Sequence, residues 1–123
     1  MAKLLDHALK EPAIIIDFDG VVCENKYPDF GKPKPGVREA LEKIKAKGYK
    51  IIIHTVRTAS YWQRDQFEQY ILLNKYLEHN KIPFDYIFQG DKPVGAYYID
   101  DRAIRFENNW AEIADIVEEN PKI

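Results

Sequence analysis

At 123 residues the chain has room for one compact domain and no second one, and it carries no internal repeat or low-complexity stretch. Apolar residues make up 46% and charged residues 31%, and a formal net charge of −2 with lysines and acids interspersed argues against a nucleic-acid binder held by bulk electrostatics. The lone Cys23 rules out an internal disulfide, no apolar run approaches the roughly 20 residues of a membrane span, and the opening MAKLLDHALK lacks the apolar core of a signal peptide, so a reducing, cytoplasmic setting is expected.

In chain order, Leu4, Leu5, Ala8 and Leu9 recur at helical spacing and predict a short helix over 2–10, ended before Pro12, with His7 on its surface. The stretch AIIIDFDGVV follows, from Ala13 to Val22. Its unbroken apolar run reads as a strand covered on both faces, and it stops in acid. Asp17 and Asp19 are two apart, so on an extended chain they leave the same face, and Gly20 allows a sharp turn beyond them. Two carboxylates at the end of a buried strand need a counter-charge, and Mg²⁺ is the usual hard cation. The segment CENKYPDFGKPKPG has prolines at 28, 33 and 35 and no period, so it is a loop lying over the acidic end. Tyr27 and Phe30 in it either pack the loop or touch substrate.

Val37, Leu41 and Ile44 then predict an amphipathic crossover helix opened by Pro35 and Gly36 and stopped at Gly48, and IIIH from Ile51 to His54 predicts a second buried strand. Strand, helix and strand make a βαβ unit with parallel strands. Thr55 and Arg57 stand just beyond the second strand, on the rim where parallel sheets gather ligands, and a Thr hydroxyl there either binds a phosphate oxygen or caps the next turn. A long helix is predicted over 60–80 with Phe67, Tyr70, Ile71, Leu73 and Leu77 on its inner face. In its first turn Tyr61, Trp62 and Arg64 are the residues closest to the acidic end, whereas His79 is a solvated helix-end residue. IPFDYIF, from Ile82 to Phe88, predicts a short third strand, and the loop GDKPVG carries Lys92. AYYIDD repeats the opening design, a buried strand ending in Asp100 and Asp101. Two such strands with a lysine in the intervening loop describe an acidic metal pocket beside one fixed positive charge. Ile104 and Phe106 predict a last edge strand, and Trp110, Ile113 and Val117 a C-terminal helix packed on the sheet.

The order Asp17-Phe18-Asp19-Gly20-Val21-Val22, then Thr55, then Lys92, then Asp100-Asp101, resembles the four signature motifs of the haloacid dehalogenase superfamily of phosphotransferases. The resemblance runs from Ile14 to Asp101. It departs from the commoner pattern at Val21, where many members have Thr, and in the adjacent-pair form of the fourth motif. It implies one domain over 1–123, a three-layer α/β/α sandwich with a mainly parallel five-stranded sheet in the order 5-4-1-2-3. The gaps between motifs leave no room for a cap domain.

The activity so implied is hydrolysis of a phosphate monoester through an aspartyl-phosphate. Asp17 is the expected nucleophile, Asp19 the general acid and then base, and Thr55 and Lys92 hold and neutralise the phosphoryl group. Acting as acid near neutral pH requires surroundings that raise a carboxyl above its usual range. Backbone N–H groups after Asp17, Gly20's among them, and Arg57 are the expected substrate contacts. Mg²⁺ is the expected cofactor, with Asp17, Asp100 and the Asp19 backbone carbonyl as ligands and Asp101 either a ligand through water or an orienting group. Other readings are a phosphomutase on the same apparatus, or a receiver-like module that binds phosphate and metal without turnover. An uncapped pocket is covered by a large phosphorylated substrate or by another subunit, so the expected partners are a sugar phosphate or other phosphorylated metabolite and a second copy of the chain, with no membrane.

Overall fold

Ala13–Ile16 is all apolar with no polar position to turn toward water, and it forms β1 at the interior of a parallel sheet, with all four residues buried. A computed structural model describes residues 12–62 and 64–121 of the chain; the helix expected over 2–10 lies outside them. After the loop come α1 (Val37–Ala46), β2 (Lys50–Ile53), a 3₁₀ turn (Val56–Thr58), α2 (Gln66–His79), β3 (Tyr86–Ile87), β4 (Tyr97–Ile99) and α3 (Trp110–Glu119). β1 pairs in parallel with β2, Ile14 opposite Ile51 and Ile16 opposite Ile53, and on its other edge with β4, Ile16 opposite Ile99. The sheet order is β3-β2-β1-β4.

Both crossovers, β1 to β2 and β2 to β3, step the same way along the sheet, so right-handed connections carry α1 and α2 to one face. The packing agrees: Leu41 of α1 and Leu73 and Leu77 of α2 join Ile14, Ile16, Ile51, Ile53 and Phe18 in one core. The opposite face has a smaller cluster of Ala13, Ile15 and Ile52 against Phe88, and no residue of a described helix belongs to it. α1 stops where expected, Gly48 taking a φ of +97° just beyond it.

Several expectations are corrected. The sheet has four strands among the described residues, not five in the order 5-4-1-2-3, and Ile104 and Phe106 lie in an irregular, exposed segment. Only Ile104 and Phe106 alternate there, too short a pattern to bury a strand without a covering layer. β4 is not buried. It is the edge of the described sheet, and Tyr97, Tyr98 and Ile99 are exposed, Ile99 in an open groove beside α1. α3 forms, yet none of its residues is buried, so the expected packing of that helix on the sheet is not met. α2 begins at Gln66 because Asp65 caps it, its carboxylate accepting the Glu68 N–H at 2.8 Å. Its inner face is Gln69, Leu73 and Leu77, which leaves Phe67 and Ile71 outside. No helix of the described residues is long and apolar enough to cross a membrane.

Candidate metal and phosphate site

The parallel register brings the three strand ends level. Asp17 follows β1, His54 follows β2 and Asp100 follows β4, with the Asp17 N–H donating to Ile99 O and the His54 N–H to Ile16 O, each at 3.0 Å. Above them opens a cleft of about 910 Å³. Carboxyl ends of parallel strands leave such a crevice because the chain must turn away there toward its crossover helices.

One oxygen each of Asp17, Asp100 and Asp101 lies within 4.8 Å of the others. Three carboxylate oxygens at that spacing are a hard, anionic donor set, which fits a divalent cation of the Mg²⁺ class and suits soft metals poorly. Their mutual repulsion is visible at Asp17. Burial is the main cause that lifts its carboxyl from 3.8 to about 6; the Phe18 N–H, donating to Oδ1 at 2.8 Å, opposes this, and the charges of Asp100, Asp101 and Asp19 add to it. The carboxyl raised here belongs to Asp17, which must lose its proton before it can act as the expected nucleophile. Asp100 is exposed and oriented by the Arg102 N–H at 2.7 Å. Asp101 closes on Gly20, whose φ is +86° and where a Cβ would collide with the Asp101 carboxylate. Only glycine lets the turn and that carboxylate coexist.

Asp19 is not one of the three. Both its oxygens face Arg57, Nε to Oδ2 at 2.7 Å and Nη2 to Oδ1 at 2.8 Å, while the side chain still borders the cleft. This corrects the expectation for Arg57, which is wholly buried behind the wall with its guanidinium turned to the protein and not to substrate. Gly20 is corrected likewise, because its N–H donates to Cys23 O at 2.9 Å. Thr55 borders the cleft, and its hydroxyl also caps the 3₁₀ turn by accepting the Arg57 N–H at 3.2 Å. Lys92 is exposed at the rim, its Nζ 5.1 Å from the centre of the Tyr98 ring.

The aromatic residues divide. Phe30 packs inward, stacked on Tyr76 at 5.2 Å, so it is a loop-packing residue. Tyr27 and Trp62 both line the cleft and are joined, the Trp62 Nε1–H donating to the Tyr27 hydroxyl at 2.7 Å. Tyr61 lines the same wall, and Arg64 is exposed and does not. Asn25, His54, Phe88 and Arg102 also border the cleft and were not legible in the sequence as site residues. Two of them had a signal: His54 and Arg102 each stand within two residues of a motif residue at a strand end.

No family model and no curated protein matches the chain. Among solved structures, a conserved protein from Bacteroides thetaiotaomicron is similar at a TM-score of 0.58 and 20% identity, over 89% of this chain and 91% of that one. A structural-genomics target from Vibrio cholerae is similar at a TM-score of 0.49 and 26% identity, over 88% and 98%. The likeness to the first is one of fold.

Proposed function

We propose that the chain is a Mg²⁺-dependent phosphomonoesterase of the haloacid dehalogenase type, acting on a sugar phosphate or another phosphorylated metabolite in a cytoplasmic setting. The observation that carries this reading is the convergence of Asp17, Asp100 and Asp101, the first two of which line one cleft that Asp19, Thr55 and Lys92 also border. Asp17, Asp100 and Asp101 would hold Mg²⁺, which when bound neutralises charge between an anionic nucleophile and a phosphate dianion.

Asp17 attacks phosphorus, a P–O bond to its carboxylate forms, and the bond to the ester oxygen breaks. Asp19, at the cleft wall, would give the departing alcohol its proton, carried on an oxygen lone pair that the Arg57 bonds leave free. Thr55 and Lys92 hold phosphoryl oxygens from the β2 end and the rim. In the second half Asp19 takes a proton from water, the water oxygen bonds to phosphorus, and the acyl phosphate bond breaks to return the Asp17 carboxylate and free phosphate. Burial raises Asp17 in the metal-free protein, so cation binding must displace a proton below about pH 6. A phosphomutase would need to exclude water from the acyl phosphate, and the wide cleft favours hydrolysis.

The test is phosphate release from a panel of sugar, nucleotide, amino-acid and polynucleotide phosphates, each with Mg²⁺ and with chelator. Release from some esters, lost in chelator and restored by Mg²⁺, is expected. No release from any ester with Mg²⁺ present would overturn the reading, and tight phosphate binding without release would favour the non-catalytic module.

A further inference from the structure

Arg57 has the largest fully buried side chain among the described residues. A guanidinium out of water is costly unless its N–H groups are all but fully engaged, and here they are. Besides the two bonds to Asp19, Nη1 donates to Pro28 O at 3.1 Å and Nη2 to Asp29 O at 2.6 Å. Its carbon sits 4.3, 4.9 and 5.6 Å from the ring centres of Phe30, Tyr27 and Phe18. One cation therefore binds the second carboxylate of β1's end and the backbone of the overlying loop at once. The far side of that loop is held without Arg57: the Tyr76 hydroxyl donates to Gly31 O at 2.7 Å and the Glu24 N–H to Lys32 O at 2.8 Å. The part whose backbone carbonyls Arg57 holds is 27–30, which presents Tyr27 to the cleft, where Trp62 also bonds it.

We propose that Arg57 is a positioning residue that locks the Asp19 carboxylate and loop segment 27–30 into one unit, so that the loop facing the leaving group and the group that protonates it move together. The inference rests on the phosphatase reading for the role of Asp19. Lysine cannot replace the clamp, because an ammonium is a point charge without the planar fork that meets two carboxylate oxygens and two carbonyls in fixed directions. A merely structural arginine would, when lost, reduce the amount of folded enzyme and slow every substrate by the same factor.

The experiment uses Arg57→Lys, which keeps the charge, with Arg57→Gln as a second variant, and turnover is counted per folded molecule. Turnover is compared for an alkyl phosphate and for an aryl phosphate with an acidic phenol, and amide hydrogen exchange is followed across 24–34. The alkyl phosphate should slow by about 10²-fold at unchanged Mg²⁺ affinity, and the aryl phosphate by no more than about threefold, because a good leaving group needs no placed proton. Exchange should quicken over 27–30 and stay as in the wild type at Gly31 to Lys34. Equal slowing of both substrates, or exchange over 27–30 that does not change, would overturn the proposal. If the wild type releases phosphate from neither substrate, the phosphatase reading falls, and the exchange result alone decides whether Arg57 is the clamp.

Discussion

The two ends of the parallel sheet are each tied by one carboxylate and one cation, and they are built differently. At the amino end, Asp85 takes both its oxygens to Lys45 Nζ of α1 at 2.8 Å and also accepts the Ile51 N–H at 2.7 Å, while its own N–H donates to Ile51 O. Helix, strand and the approach to β3 are thus stitched together in partial contact with water, the side chains 36% and 20% exposed. At the carboxyl end, Arg57 is 0% exposed and Asp19 only 14%. The upper pair has a fully buried cation and a carboxylate that reaches the cleft, where three further carboxylates stand. A pair that only closes a crossover can stay in contact with water; burying a cation among rings next to a cluster of acids makes sense where direction of a side chain matters.

The largest effect expected from breaking either end is at Asp17. Asp17→Asn should lower phosphate release by at least about 10³-fold with the fold intact. Retention of more than a few per cent of wild-type turnover, measured with Mg²⁺ saturating, would remove Asp17 as nucleophile. Next in size is Asp19→Asn, which cannot donate a carboxylic proton: turnover of alkyl phosphates should drop by roughly 10²–10⁴ and an aryl phosphate should give a burst of phenol near one per site. Loss of Mg²⁺ binding by calorimetry in that variant would instead make Asp19 mainly a metal ligand.

The ends should also respond to pH in opposite senses. Asp17 has a folded pKa of about 6 against 3.8, so its protonated form favours the fold; that contribution is complete below about pH 3.8 and gone once pH has risen through about 6. Metal-free protein should therefore lose stability between pH 4 and 6. Asp17→Asn should abolish that slope and gain on the order of 1–2 kcal/mol at pH 8, a figure reduced for the water that reaches the half-buried group. Asp85 is the reverse case. Burial acts to raise it, but the Lys45 hydrogen bond, the Ile51 N–H and the charges of Lys45 and Lys50 together hold it below its usual value. Its contribution is present above about pH 3.8 and is lost as pH falls through the lowered value. Asp85→Ala should cost about 1–2 kcal/mol at pH 7 by urea unfolding, with turnover per folded molecule unchanged. Denaturation curves with the same pH slope in both variants would dissolve the contrast.

The smallest expected effect is Lys45→Met, no more than about 1 kcal/mol, because a half-wet ion pair contributes little. A loss of turnover there would mean that the amino end reaches the site.

What the sequence determined by itself was local. An apolar run closed by Asp17 and Asp19 can only be an interior strand with a charged end, and the period of Val37, Leu41 and Ile44 with Gly48 behind it can only be a short crossover helix, so β1, α1 and β2 were legible within a residue or two. The acids at 17 and 100 were legible as neighbours because parallel strands in one register end at one level. Burial of Tyr97 to Ile99 was not. The same letters are core or edge according to what covers them, and among the described residues β4 is an edge strand that α1 and α2 leave uncovered. The partner of Arg57 was equally hidden: thirty-eight residues separate it from Asp19, and the choice between a phosphate in the cleft and a carboxylate behind it is made by where the 3₁₀ turn and the proline-rich loop place the guanidinium. Periodicity reports which face a residue takes; only the assembled tertiary structure decides which charges share that face.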